Sequence, residues 1–267
     1  MQRRNFLKTS LAAAGIGTMP NLFGAPENEK SPDASREFYE LRLYHLKKGK
    51  QKLFDDFYRD AAIPAMNRAG IALVGVFAEL TPADDPTMYV LLPYKSLEEF
   101  GGAIDRVRMD ADYKKLGAEF LNAPAADPSY VRVESSLMAA FSGMPKLALP
   151  AGTAEKKARI FELRRYESHI KTANKKKIEM FNTAEIALFR KAGLRPVFFG
   201  ETLIGTSLPN LTYMLTFDDM ADHDKTWQVF IADPDWKKLS TTPGYRDAEI
   251  VSKITRLFLQ PTAYSQI

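Results

Sequence analysis

Cysteine is absent from the 267-residue sequence, which excludes a disulfide framework and a thiolate metal site. Only three histidines occur, His45, His169 and His223, and they fall in different predicted elements without the spacing of metal ligands. The sequence also lacks a G-x-S-x-G elbow, a G-x-x-x-x-G-K-S/T phosphate loop and a dinucleotide-binding fingerprint. We therefore predict no metal and no cofactor.

Long apolar runs are missing as well. A membrane span needs about 20 apolar residues, and the Ala-rich stretch at 11–17 is far shorter. It follows Arg3, Arg4 and Lys8, and "RRNFLK" resembles the twin-arginine motif. We predict that 1–25 is a twin-arginine export signal and 26–36 a linker, which places the protein in the periplasm or outside the cell, with no stable membrane span.

The modest positive charge of the chain comes largely from this amino-terminal segment. Without Arg3, Arg4 and Lys8 the formal net charge falls from +4 to +1. A nucleic-acid-binding surface requires a concentrated excess of basic residues. We therefore predict no nucleic-acid partner.

The rest of the sequence repeats itself. "FYELRLY" at 38–44 returns as "IFELRRY" at 160–166, and Gly70 and Gly193 end matching segments 123 residues apart. An offset of 122 or 123 residues, kept over several blocks, indicates a duplicated domain. We predict a first domain at 37–141, a Gly-, Pro- and Lys-containing linker at 142–158 and a second domain at 159–267.

Each copy has the hydrophobic periodicity of a βαββαβ unit. This order predicts an α+β, ferredoxin-like fold, in which a four-stranded antiparallel sheet carries both helices on one face. Two such units in one chain leave two bare sheet faces, which are buried most simply by packing on each other. We predict two tandem units packed sheet to sheet as an intramolecular α+β barrel.

A charged row recurs in the first strand of both copies. Strand side chains alternate between faces, so Tyr39, Leu41 and Leu43 are predicted to face the helices. The opposite row would then face the space between the sheets, and it supplies the candidate cavity-lining residues: Glu40, Arg42, Tyr44, Glu162, Arg164 and Tyr166.

Two interpretations of this row remain open. Each Glu and Arg could pair and hold the two sheets in register, which would be a purely structural role. Alternatively, the row lines a ligand cavity, with arginine for an anionic or carbonyl group and glutamate for proton transfer. Small residues on the predicted barrel-facing strands, namely Gly75, Ala78, Gly200 and Thr216, favour a cavity slightly.

The remaining polar and aromatic residues on helices have simpler interpretations. The run 175–177, three lysines, is predicted to be a solvated helix face, and His223 an exposed helical histidine. Trp227 and Trp236 fit a stripe that packs a helix on the core better than a ligand box.

At these same blocks the chain resembles the NIPSNAP family. The resemblance rests on "YELRLYHLKKGK", "FELRRYESHIK", "AGI" and "AGL" before a strand, "ADPDWKKL" and the ending "LQPTAYSQI", and it extends from residue 37 onward. It implies the dimeric α/β-barrel superfamily, whose members include cofactor-independent monooxygenases, lactone isomerases and haem enzymes. The family has no settled biochemical function, so any such activity would be fold-level analogy.

Two classes of function follow from the sequence. The first is an exported protein that binds, and could transform, a small organic molecule in the inter-sheet cavity. The second is a non-catalytic scaffold or interaction protein whose charged interior is structural. Whether the chain is an enzyme and whether it forms a homodimer are left open by the sequence.

Overall fold

The computed structural model describes residues 36–81 and 83–267. The predicted export signal at 1–25 lies outside these residues, as does the predicted linker at 26–36 except for Arg36. The strands of the described part are β1 (Phe38–His45), β2 (Gly75–Glu79), β3 (Thr87–Tyr94), β4 (Arg132–Ala140), β5 (Ile160–Glu167), β6 (Arg195–Ile204), β7 (Asn210–Phe217) and β8 (Lys253–Pro261).

The helices fall between the same strands in both repeats. In the first repeat they are α1 (Gln51–Phe57), α2 (Ile63–Arg68), α3 (Leu97–Met109), α4 (Ala111–Leu116) and α5 (Ala118–Leu121). In the second they are α6 (Lys171–Met180), α7 (Ile186–Lys191), α8 (Met220–Ala232), α9 (Pro234–Thr241) and α10 (Asp247–Ile250). Within the described ranges, none of them is long and apolar enough to cross a membrane.

The eight strands close into one antiparallel barrel in the order β1-β3-β2-β8-β5-β7-β6-β4. Each repeat contributes a four-stranded sheet, and the two sheets join where β2 pairs with β8 and β4 pairs with β6. The predicted α+β fold, with tandem ferredoxin-like units forming an intramolecular barrel, is therefore confirmed. Closure removes the sheet edges that either repeat would expose alone.

The two faces of the first strand are the reverse of those predicted. Tyr39 and Leu41 belong to the apolar cluster that fills the barrel, together with Phe161 and Leu163 of β5. Tyr44 packs instead in the cluster between the first sheet and its helices. An eight-stranded barrel has just enough interior room for apolar side chains to fill, so the uncharged row turns inward.

The charged row consequently lies under the helices, where their side chains and the neighbouring strands can supply hydrogen-bond partners. The row is formed by Glu40, Arg42 and Tyr44 in the first repeat and by Glu162, Arg164 and Tyr166 in the second. The prediction that these six residues line the space between the two sheets is wrong.

Small residues on the strands do not open a large interior space either. A Cβ on Gly75 would lie 2.8 Å from the ring of Phe77 and 3.0 Å from Ile267, and a Cβ on Gly200 would lie 2.8 Å from Met138. Larger neighbours therefore occupy the volume that the glycines leave. Ala78 packs toward the helices of the first repeat.

The first long helix of each repeat contains a π-helical turn at the same place. Tyr58–Ala62 separates α1 from α2, and Phe181–Glu185 separates α6 from α7. A π turn adds one residue to a turn of helix and is often found at functional sites. Gly70 and Gly193 follow these helices with φ of +100° and +89°, the left-handed conformation in which glycine commonly ends a helix.

Candidate functional site

The charged row of the second repeat forms a buried hydrogen-bonded chain beneath α8. Glu162 is fully buried, and its Oε1 accepts a hydrogen bond from Arg164 Nε at 2.7 Å. Arg164 NH1 donates to the hydroxyl of Tyr166 at 3.3 Å, and that hydroxyl lies 3.2 Å from the hydroxyl of Tyr213. Glu162 and Arg164 therefore pair, as the structural interpretation required. The pair lies between the sheet and its helices and not between the two sheets.

Helix α8 covers this chain with an indole and an imidazole. Trp227 Nε1 donates to Glu162 Oε2 at 2.9 Å, and the guanidinium carbon of Arg164 lies 3.8 Å from the centre of the indole ring. His223 is only 7% exposed, and its Nε2 lies 3.4 Å from Glu162 Oε2 without a hydrogen-bond partner among the described residues. The prediction that His223 is exposed is wrong, whereas Trp227 does join the core, as predicted.

A second buried ion pair lies beside the first. Lys177 is 1% exposed and Glu185 2%, and Lys177 Nζ donates to Glu185 Oε2 and to Asp247 Oδ1, each at 3.1 Å. Burial raises the pKa of Glu185, and the attraction of the Lys177 ammonium opposes this without overcoming it. Burial lowers the pKa of Lys177, but the two carboxylates outweigh it and the net pKa is raised.

The π turn explains how these two side chains meet. Lys177 and Glu185 are eight positions apart, a spacing that would separate them by about 80° around a continuous α-helix. The extra residue of the turn Phe181–Glu185 makes this spacing equivalent to seven positions, or about two turns. The predicted solvated face at 175–177 is therefore wrong for Lys177, which points under the helix.

These groups line a cavity of about 300 Å³ between the second sheet and its helices. Trp227, Phe230 and Trp236 form an aromatic wall, while Arg164 and Lys177 contribute positive charge. A volume of this size is at the lower end of the range for small-molecule pockets, roughly 300–1,000 Å³. Its lining also includes the half-exposed side chains of Asp247 and Ile254.

Two arginines face each other across neighbouring strands at this cavity. Arg164 of β5 is in register with Arg256 of β8, and both line the cavity. Like charges directly opposite each other in a sheet are destabilising. Glu162 neutralises Arg164, but no carboxylate oxygen in ranges 36–81 and 83–267 lies within 4 Å of Arg256. Arg256 is exposed, so its unmatched positive charge lies at the solvent-facing rim of the cavity, above the buried Arg164.

The corresponding site of the first repeat is closed. Glu40 accepts two hydrogen bonds from Arg42, at 2.7 and 2.8 Å, and one each from Tyr94 and Ser135, at 3.0 and 2.8 Å. Burial alone would raise the pKa of Glu40, but these bonds and the charge of Arg42 leave it lowered. The ring of Tyr44 fills the remaining space, against the three rings of Phe54, Tyr58 and Tyr130.

The two repeats differ most clearly at the buried lysine. Phe54 and Ala62 occupy the positions 123 residues before Lys177 and Glu185. An apolar pair in one copy thus corresponds to a buried ion pair in the other. Sequence reasoning missed Lys177 and Glu185, although a comparison of the two copies, helix against helix, would have found them.

The space between the two sheets retains only a small cavity. It has a volume of about 90 Å³ and lies among Leu41, Leu163, Arg165 and Thr212. This is well below the size of an ordinary small-molecule pocket, roughly 300 Å³ or more. No group of three or more histidine or acidic side chains in the described part of the chain is arranged to hold a metal ion.

Comparisons with known proteins agree with this architecture. The NIPSNAP family model matches residues 39–142 and again 161–266. A candidate monooxygenase from Fusobacterium nucleatum is 12% identical, with a TM-score of 0.56, over 85% of this chain and 93% of its own. One from Lactobacillus acidophilus is 8% identical, with a TM-score of 0.53, over 85% and 94%.

The family is also found among the similar solved structures. A NIPSNAP-like domain protein from Burkholderia xenovorans is 20% identical over 41% of this chain and 90% of its own, with a TM-score of 0.37. A comparison with curated proteins finds no match. At these levels of identity, the likeness to the two candidate monooxygenases concerns the fold alone.

Proposed function

The chain belongs to the NIPSNAP family, and we propose that it binds a small organic anion with an aromatic or other apolar body in the cavity of its second repeat. The observation that carries the proposal is the facing pair Arg164 and Arg256, of which Arg256 has no carboxylate within 4 Å in the described chain. An anionic group between the two guanidinium groups would relieve their repulsion.

The walls of the cavity suit the rest of such a ligand. Trp227, Phe230 and Trp236 offer apolar faces, on which a planar body can stack. Arginine binds carboxylates in a bidentate geometry. We therefore favour an aromatic or unsaturated carboxylate over a neutral ligand.

Glu185 supports a chemical role in the same cavity. Its pKa is raised by burial, and it contacts Lys177, so a proton can be exchanged within the cavity at a pH nearer neutrality than an ordinary glutamate allows. A bound acid with an exchangeable proton next to its carboxylate would be the natural substrate. Binding is the primary proposal, and proton transfer depends on it.

The test is a calorimetric titration of the protein with benzoate, cinnamate and phenylpyruvate at low ionic strength. Binding of at least one of them should be weakened about tenfold by Arg256→Gln, as expected when a charge-assisted hydrogen bond is lost. Arg108→Gln is the matched control, because Arg108 is an exposed arginine on α3 and its side chain is 73% exposed. Binding that survives Arg256→Gln unchanged would contradict this placement of the ligand, and no binding by any anion would favour the scaffold alternative.

We also propose that the protein is exported through the twin-arginine pathway. The supporting feature is "RRNFLK" followed by the short apolar stretch at 11–17. Fused to a reporter, residues 1–25 should carry folded cargo across the inner membrane, and Arg3→Lys with Arg4→Lys should stop this. Unchanged export of the double variant would refute the proposal.

A further inference from the structure

A buried arginine without a carboxylate partner lies at the start of β5. Arg159 is 7% exposed, its Nε is buried without a hydrogen-bond partner, and its NH1 donates to the carbonyl oxygen of Lys157 at 2.9 Å. No carboxylate oxygen in ranges 36–81 and 83–267 lies within 4 Å of this guanidinium. A buried charge without a partner is strongly unfavourable, so the position calls for an anion.

The location of Arg159 separates it from the cavity proposed above. Side chains alternate along β5, so Arg159 is on the same face as Phe161, which fills the barrel, and opposite to Arg164. Arg159 therefore lies at one end of the barrel, where the segment between the two repeats enters the second sheet.

The space around Arg159 is open on two sides. Cavities of about 200 and 250 Å³ are both lined by Lys157, Ala158 and Arg159. The first also contains Lys156 and the second Arg195. The first, of about 200 Å³, is large enough for a compact anion.

The balance of charge in these cavities is positive. Arg195 is matched by Asp218 at 3.0 Å and by Asp222 at 2.7 Å. For Lys156, Lys157 and Arg159, by contrast, no carboxylate oxygen of the described residues lies within 4 Å. All three line the first cavity, and three unmatched cations around it favour a dianion over a monoanion.

The segment that joins the repeats is shaped to bring Lys157 to this position. Gly152 has φ +78°, and a Cβ there would lie 2.8 Å from the side chain of Lys157. Lys156 adopts the left-handed region with φ +52°, and its ammonium donates to the carbonyl oxygen of Ser265. A residue other than glycine at 152 would displace Lys157.

We propose that this pocket, formed by Lys156, Lys157 and Arg159, binds phosphate or the phosphate group of a small phosphomonoester. The rigid fork of an arginine at the base, with lysines at the rim, is the arrangement that recognises phosphate oxygens. This site is independent of the cavity in the second repeat, and it assigns a binding function to the inter-repeat segment.

The experiment is a calorimetric titration of the protein with inorganic phosphate, glycerol 3-phosphate and acetate at constant ionic strength, and the unfolding temperature is measured in the presence of each. We expect saturable binding of phosphate or the phosphomonoester, a raised unfolding temperature and no response to acetate. Arg159→Gln should weaken binding by about tenfold or more. Without phosphate, this variant should unfold at the same or a higher temperature, because it no longer buries an unmatched charge.

Lys157→Ala serves as the second variant, because Lys157 is exposed and its loss does not threaten folding. It should weaken phosphate binding, whereas Lys114→Gln, at an exposed lysine on α4, should not. No binding of phosphate or the phosphomonoester, equal binding of acetate, or undiminished binding by Arg159→Gln and Lys157→Ala would each overturn the proposal. Because Arg256→Gln should leave phosphate binding intact, failure of one site is distinguishable from failure of the other.

Discussion

The role of the buried pair Lys177–Glu185 in the candidate site is tested most directly by replacing it with the apolar pair of the first repeat. Lys177→Met alone leaves Glu185, 2% exposed, without its principal counter-charge, whereas Asp247 is half exposed and remains hydrated. Removal of one partner of a buried pair costs about 3–5 kcal/mol. The free energy of unfolding, measured by urea denaturation at neutral pH, should fall by this amount.

The double variant Lys177→Phe with Glu185→Ala should recover that loss. It reproduces Phe54 and Ala62 of the first repeat, and replacement of a buried ion pair by apolar residues is neutral or stabilises by up to about 4 kcal/mol. It should also abolish binding of the organic anion, because the ring of Phe occupies the cavity. A stable protein without binding would show that the ion pair is retained for function.

The loss caused by Lys177→Met should also depend on pH. The folded-state pKa of Glu185 is already raised, and loss of the ammonium raises it further. A carboxyl group with a raised folded-state pKa favours the folded state at low pH and loses this contribution as the pH rises through that pKa. The destabilisation should therefore be smaller at pH 5 than at pH 8.

The control for these measurements is Lys176→Met. Lys176 pairs with Glu179 on the exposed face of the same helix, so its removal should leave the free energy of unfolding nearly unchanged. A similar loss for both lysines, or a loss at Lys177 that the double variant does not restore, would refute the reasoning.

Three further outcomes follow from the fold. Arg42→Met should lower the free energy of unfolding by about 3–5 kcal/mol in urea titrations, and an added Glu40→Gln should restore much of this loss. Because the pKa of Glu40 is lowered in the folded state, the stability that its carboxylate contributes is lost as the pH falls through that pKa. A loss of stability in Arg42→Met that does not change with pH would contradict the pairing. Segment 35–147 expressed alone should dimerise or aggregate, since its bare sheet face is apolar; a monomeric, cooperatively folding product by ultracentrifugation and denaturation would argue against the barrel. Gly75→Ala should cost about 1–3 kcal/mol through overpacking against Phe77, and an unchanged unfolding temperature would show that the interior has room to adjust.

The architecture was predictable because it depends on local patterns and on duplication. Strand alternation, helix periodicity and the glycines Gly70 and Gly193 indicate βαββαβ twice, and two bare faces in one chain have one simple way to be buried. The pairing of Glu40 with Arg42 and of Glu162 with Arg164 also follows from spacing along one strand. Local rules therefore account for the elements, their order and the internal ion pairs.

Which face of the sheet the charged row occupies could not be predicted from local patterns in the same way. Both rows of β1 contain residues that can be buried, so alternation alone does not decide which row faces the helices. The orientation depends on where the buried glutamates have hydrogen-bond donors. Those donors are Tyr94 and Ser135 for Glu40, and Trp227 for Glu162. They come from distant parts of the chain.

The sequence by itself determined the duplication, the ferredoxin-like units and their closure into a barrel, because these depend on periodicities of a few residues. The tertiary structure alone decided where charge is buried. Lys177 is one of three consecutive lysines, and only the π turn and the packing of the second repeat bring it to Glu185, so that the lysine is 1% exposed and paired. The environment of a long side chain is set by neighbours distant in sequence, whose positions no local pattern encodes.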